Sequence, residues 1–240
     1  MNRADSGTVT CAPGLTLFID ADDTLWENNI YFDSVIDRTA TRLTEYGVST
    51  ERTREALLAI ERQRTRAHGY GSLNFGASLE VLCEHVGIGE SLDRLRPFLR
   101  AEIAALRRKR LELLPEVPDT LAYLRRRHRL VLFTKGNHDE QWDKVVRSGL
   151  RDLFHQVDVV REKDQGAYAD AARRLGVRPE HAWMIGNSPR SDIMPARAAG
   201  FGAVFVPHPG TWALELANLP DTHDPGILQV ERFAELRDIF

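Results

Sequence analysis

One stretch, Leu15-Thr16-Leu17-Phe18-Ile19-Asp20-Ala21-Asp22-Asp23-Thr24-Leu25, constrains the fold more than any other. Its apolar run is too short for a helix of ordinary length, and it stops at three carboxylates within four residues. That pattern predicts a buried strand in an α/β sheet, whose ligands collect just beyond the carboxyl ends of the strands. Crowded carboxylates repel one another, so a cation is their natural neutraliser. Phosphoryl transfer is one chemistry that uses both the acids and the cation.

Before this strand, residues 1–14 are polar and carry too little apolar surface to repay ordering, so a disordered tail is expected there. After it, from about Asn28 to Arg110, the pattern is helical throughout. Four helices are expected, the third from about Phe75 to Val86. The second and third are separated by the glycine-punctuated loop His68-Gly69-Tyr70-Gly71-Ser72-Leu73-Asn74. Beyond Pro115, helical segments alternate with the apolar runs Leu130–Phe133, Val157–Val160, Ala182–Ile185 and Ala203–Val206. Alternation of this kind predicts a Rossmann-like parallel sheet with helices on both faces. The expected organisation is an α/β core at 15–27 and 114–240, with a helical cap at 28–113 inserted after strand one.

Composition narrows the class. The chain has 240 residues, enough for a large core, and a net charge of −3. No polyelectrolyte signature points to nucleic acid or an anionic membrane surface. Cys11 and Cys83 do not suggest a disulfide framework, and no apolar run approaches a membrane span. The N-terminus lacks a basic-then-apolar signal pattern, so a cytoplasmic protein is expected. Oligomeric state, monomer or homodimer, is left open.

Four strand ends deliver polar chemistry: Asp20 and Asp22, then Thr134 with Lys135, Gly136 and Asn137 behind it, then Lys163, then Asn187 and Asp192. In a parallel sheet these ends share one edge and converge. Asp20 is then placed to attack phosphorus and form an aspartyl-phosphate. Asp22 is placed to protonate the leaving oxygen and deprotonate the attacking water. Thr134 and Lys163 would hold phosphate oxygens, and a hard cation, Mg²⁺, would bridge carboxylates and phosphate. Each residue alone has a plainer reading: a polar turn for the acids, a turn hydroxyl for Thr134, a solvated charge for Lys163, an N-cap for Asn187 or Asp192. Asp23 is read as exposed or capping, and Thr24 as bonded to turn backbone.

The order Asp20-x-Asp22-x-Thr24-Leu25, Thr134, Lys163 and Gly186-Asn187-(x)₄-Asp192 resembles the four motifs of the haloacid dehalogenase-like hydrolase superfamily. The resemblance spans about Leu15 to Val206. The helical insert looks like the first type of cap in that superfamily, and the branch looks like the nucleotidase- and phosphoglycolate-phosphatase-like enzymes. It implies Asp20 as nucleophile, Asp22 as acid/base, and a metal held by Asp20, the Asp22 backbone carbonyl and the fourth motif. That motif usually begins Gly-Asp; here Asn187 offers a carbonyl oxygen without charge, which shifts the electrostatic burden to Asp192.

The expected activity is hydrolysis of a small phosphorylated metabolite. Tyr70 and Asn74, in the loop with Ser72 and Phe75, are candidate substrate selectors, and a loop packed inside the cap is the alternative. Lys135, Gly136 and Asn137 are further substrate-binding candidates, with solvent exposure the alternative for Lys135. A dehalogenase would lack an acid at Asp22, a phosphonate hydrolase would need a cap lysine, and a phosphosugar mutase keeps both acids. A catalytically weak binding module on the same scaffold is the non-enzymatic alternative.

Overall fold

A computed structural model describes residues 11, 14–218 and 224–240. Six strands, β1 (Thr16–Ile19), β2 (Arg129–Lys135), β3 (Gln156–Val160), β4 (Ala182–Gly186), β5 (Gly202–Phe205) and β6 (Ile227–Gln229), form one wholly parallel sheet. Its order is β3-β2-β1-β4-β5-β6, so the acid-tipped strand lies inside the sheet with β2 and β4 as its neighbours. The sixth strand was not among those expected. It is three residues long, at the sheet edge and mostly half-exposed, so it lacks the apolar run that marks the others.

Four helices follow β1: α1 (Asn29–Thr44), α2 (Thr50–His68), α3 (Ser72–His85) and α4 (Leu92–Arg108). The alternating half adds α5 (Val117–Arg125), α6 (His138–Arg147), α7 (Gln165–Leu175), α8 (Met194–Ala198) and α9 (Leu236–Ile239). Local chemistry sets the boundaries. Ser49, Asn137 and Asp164 each cap a helix by accepting a backbone N–H, from Arg52, Glu140 and Ala167. The loop expected over 68–74 is only three residues long. Gly71, at φ 127°, lets the chain turn at once, so Ser72, Asn74 and Phe75 belong to α3.

The sheet's two faces read directly from the period-2 alternation. Leu17, Ile19, Leu130, Leu132 and Ile185 pack with α5 and α9 through Leu121, Leu124 and Leu236. Phe18, Val131, Phe133 and Met184 pack on the other face with Tyr168, Ala196 and Phe201. The first four helices share a separate apolar cluster of their own, built on Val35, Leu43, Leu57, Leu79, Leu82, Leu95 and Leu99. Of the tail expected at 1–14, all but Cys11 and Gly14 lie outside the described residues. The Cys11 N–H donates to the Ile239 carbonyl at 2.7 Å. No helix among the described residues is long and apolar enough to cross a membrane.

Register is what assembles the site. Ile19 pairs with Leu132 on one side and Ile185 on the other. Asp20 therefore leaves the sheet one residue past the register line, while Thr134 and Asn187 lie two residues past it. Phe18 anchors this register: it is fully buried, edge-on to Phe133 (centroids 5.6 Å apart) and tilted against Phe201 (5.1 Å). Phe18→Ala is expected to lower unfolding stability by about 3–5 kcal/mol, read as a reduced urea midpoint at unchanged slope. A loss below about 1 kcal/mol would show that the strand does not depend on this contact.

Candidate active site

A cavity of ≈ 170 Å³ opens at the carboxyl edge of the sheet, between the strand ends and the four-helix insert. Asp20, Asp22, Thr134, Lys163, Asn187 and Asp192 all line it, as do Lys135, Gly136, Asn137, Tyr70 and Asn74. Distance along the chain is thus cancelled by topology.

At its floor Lys163 is almost completely buried, and its ammonium donates to Asp20 Oδ1 and, at 2.7 Å, to Asp192 Oδ1. Burial alone would depress the Lys163 pKa, but the Asp192 and Asp20 carboxylates outweigh it and raise the value. Burial pushes the Asp192 carboxyl up to about 7; Lys163 opposes that shift and Asp20 adds to it. The other Asp192 oxygen accepts the Ser188 N–H at 2.9 Å. Gly186 makes room for this arrangement, since a Cβ there would fall inside the Asp192 carboxylate. Asp192 follows Ser188 through a wide π-type turn, Pro189–Ile193, which aims it back under the strand.

Thr24 is fully buried, and its hydroxyl lies 3.1 Å from Asp20 Oδ2 and 3.2 Å from Asn187 Oδ1. It bonds the side chains of the site and not the turn backbone, because the Asp23 turn folds it inward. The Asn187 amide has a defined orientation. Thr211 gives its hydroxyl hydrogen to the His208 carbonyl, so it accepts from Asn187 Nδ2 at 2.9 Å, and Oδ1 is left facing the Thr24 hydroxyl. Asp23 is buried at φ 60° and accepts the Asn28 and Asn29 N–H groups, capping the start of α1.

Asp22 is held by residues that sequence spacing did not reveal. The Lys144 ammonium donates to both its oxygens at 2.9 Å, the Trp26 indole at 2.7 Å and the Gln141 amide at 3.1 Å. Gln141 also donates to the Thr134 hydroxyl at 2.7 Å, which links the first two motifs. Lys144 and Gln141 sit on α6, where helical periodicity marks a face but not its partner. Gly136 (φ 141°) turns the chain out of β2 ahead of that helix, and Asn137 caps it.

Lys135 is not solvent-directed. Its ammonium lies within hydrogen-bonding distance of Glu215 (2.7 Å), Ser191 (2.8 Å), Glu162 (3.1 Å) and the Tyr70 hydroxyl (3.1 Å), which share its three N–H groups. Burial works against its charge, but Glu215, Tyr70 and Glu162 more than compensate and hold its pKa above the usual lysine range. Tyr70 in turn donates to Glu162 at 2.7 Å, and burial pushes its pKa up to about 12. Asn74 accepts from Arg64 and donates to the Gly69 carbonyl, holding the short loop in shape. The insert is tied to α6 by Glu140, which accepts from the Ser72 N–H and hydroxyl.

The donor set suits a hard divalent cation. Asp20, Asn187, Asp192 and the Asp22 carbonyl offer only oxygen, and the two buried carboxylates share one ammonium, leaving a net negative charge. A second group, Asp23, Glu27 and His208, also clusters among the described residues, with Asp23 engaged by α1 and His208 Nδ1 accepting from Gly210.

Residues 15–200 match the family model described as haloacid dehalogenase-like hydrolase. The chain is 27% identical over 232 residues to a glyceraldehyde 3-phosphate phosphatase of Methanopyrus kandleri, covering 93% of this chain and 95% of that protein. A phosphoserine phosphatase of Thermus thermophilus is 38% identical over 124 residues, 49% of each chain. Among solved structures, a haloacid dehalogenase-like hydrolase of Xanthomonas campestris superposes with a TM-score of 0.82 at 27% identity, covering 95% of this chain and 94% of that one. The family match spans the motif-bearing strands, and the chain belongs to the haloacid dehalogenase-like hydrolases.

Proposed function

We propose that this hydrolase cleaves phosphomonoesters of small metabolites, with Mg²⁺ as cofactor and Asp20 as the nucleophile. The observation that carries the reading is the Asp20 carboxylate at the end of a central strand, paired with a buried lysine and facing a small cavity. Full-length relatives named as glyceraldehyde 3-phosphate phosphatases support the substrate class. The cavity volume suits a metabolite and not a polymer.

In this mechanism Asp20 attacks phosphorus, the bond from phosphorus to the leaving oxygen breaks, the alcohol departs, and an aspartyl-phosphate forms. Lys163, held beside Asp20, balances charge on the phosphoryl oxygens, and Thr134 donates a hydroxyl to them. Asp22 gives a proton to the leaving oxygen, then takes one from the water that attacks the aspartyl-phosphate, releasing inorganic phosphate and regenerating Asp20. Because Lys144, Trp26 and Gln141 occupy both Asp22 oxygens, these contacts must open as substrate enters, which makes Lys144 a positioning residue. Asp20, the Asp22 carbonyl, Asn187 and Asp192 would hold the Mg²⁺, which when bound supplies charge neutralisation for the dianionic phosphate. Residues 28–113 would act as a cap over a core of 15–27 and 114–240; the separate apolar cluster of the four helices supports that division. Tyr70 and the α3 start would close the cavity mouth, with Lys135 bracing the closed position.

Asp20→Asn is expected to reduce phosphate release from p-nitrophenyl phosphate by at least about 10³-fold, and near-normal turnover would sink the assignment. Asp22→Asn should slow alkyl phosphates by about 10²- to 10⁴-fold but p-nitrophenyl phosphate much less, because a good leaving group needs no proton. Equal slowing of both would remove the acid role. Chelation with EDTA should abolish turnover, and Mg²⁺ should restore it; activity that survives exhaustive chelation would refute the metal requirement.

A further inference from the structure

The cap end of the cavity carries a feature that phosphate chemistry does not use. Glu61, on α2, is only 8% exposed and lines the same cavity as Asp20. Among the described residues no cation pairs with it. Arg62 and Arg66 on its own helix are exposed, Arg64 donates to Asn74, and Arg54 pairs with Asp37. Lys135 is engaged by Glu162 and Glu215, and Lys144 by Asp22. Beyond burial, the charged group that acts on Glu61 is another carboxylate, Asp33, which raises its pKa, and the Trp212 side chain opposes that shift. The apolar side chains of Phe32, Ile36 and Phe75 line the same cavity.

A buried carboxylate without a counter-charge is costly to keep ionised, and a cation brought by the ligand offsets that cost. The lysines that line the cavity are thus matched by carboxylates of their own, and the acid on the cap helix has no counter-charge among the described residues. We propose that Glu61 is a specificity-determining residue that receives a protonated amine on the leaving group, so that the preferred substrates are aminoalkyl phosphates. The substrate class rests on the phosphomonoesterase reading; the cation subsite does not. Phe32, Ile36 and Phe75 contact the intervening methylenes, and Glu61 accepts hydrogen bonds from the ammonium. In the free protein, burial and then Asp33 push the Glu61 carboxyl up to about 7, with the Trp212 contact opposing; an ammonium ligand would draw it into the charged form.

Binding tests the subsite without turnover. In Mg²⁺ buffer, calorimetry should find 2-aminoethylphosphonate bound roughly 10- to 100-fold more tightly than n-propylphosphonate, its uncharged isostere. Glu61→Gln keeps an acceptor for Trp212 and removes the charge, so it should erase that preference, and Glu61→Asp should restore part of it. Equal binding of the two phosphonates by the wild-type protein overturns the proposal whether or not any variant folds. A preference unchanged in Glu61→Gln also overturns it. In turnover, the ratio of kcat/KM for phosphoethanolamine over n-propyl phosphate should fall at least about tenfold in Glu61→Gln. Amine-selective binding with no hydrolysis of any ester would fail the phosphatase reading and leave the subsite standing; hydrolysis without amine selectivity does the reverse.

Discussion

The buried contact of Lys163 with Asp20 and Asp192 is what the rest of the site depends on. Three charged groups that follow β3, β1 and β4 meet at one point, where Lys163 and Asp192 are almost wholly removed from solvent. Losing one partner of such a contact leaves a buried charge uncompensated, at a cost of about 3–5 kcal/mol. The local structure is shaped to keep it. Gly186 has no Cβ to crowd Asp192, the Ser188 N–H occupies its second oxygen, and Thr24 lies against the second oxygen of Asp20. Two carboxylates against one ammonium leave the floor negative, which is the electrostatic ground for a divalent cation.

Above this floor a second set of charges joins the helical insert to the sheet. Lys135 gathers Glu162, Glu215, Ser191 and Tyr70, and Glu140 receives Ser72 at the start of α3. Glu215 shows how tightly this set is balanced: burial works against its charge, yet Lys135 and two serine hydroxyls hold its pKa below the ordinary glutamate range. The chain has only four lysines among 32 basic residues, and three of them line the cavity. A compact ammonium donates in three directions within a narrow space, whereas a planar guanidinium needs a fork-shaped partner, so an arginine-rich chain still requires lysine at these points.

Much of the sheet was legible because a central parallel strand must be apolar on both faces, and β1, β2 and β4 each carry a compact run of that kind. The edge strand Ile227–Gln229 escaped because it has neither the length nor the burial that leaves a pattern. Ser72 and Asn74 were read into a loop because two closely spaced glycines look like extended punctuation; in fact Gly69 and Gly71, both at positive φ, complete a turn of three residues and the helix begins on the next one. Thr24 was read as a turn former because hydroxyls beside an acidic turn usually are, and nothing local announces that Asn187 stands across from it.

Order, spacing and residue type along the chain determined that acids would end a buried strand, and that a hydroxyl, a lysine and an amide-acid pair would end the strands that follow. The alternating apolar runs settle these matters within a few residues of each group, without reference to distant parts of the chain. The partners of those groups were decided only by tertiary structure. Lys144 and Gln141 lie 122 and 119 residues from Asp22, yet they hold it, and Glu61, on the second helix after β1, shares a cavity with Asp20. Periodicity tells which face of a helix is covered but not what covers it. The balance of charge in a buried site depends on that second fact, because in a low dielectric each pairing is decided by contacts of a few ångströms.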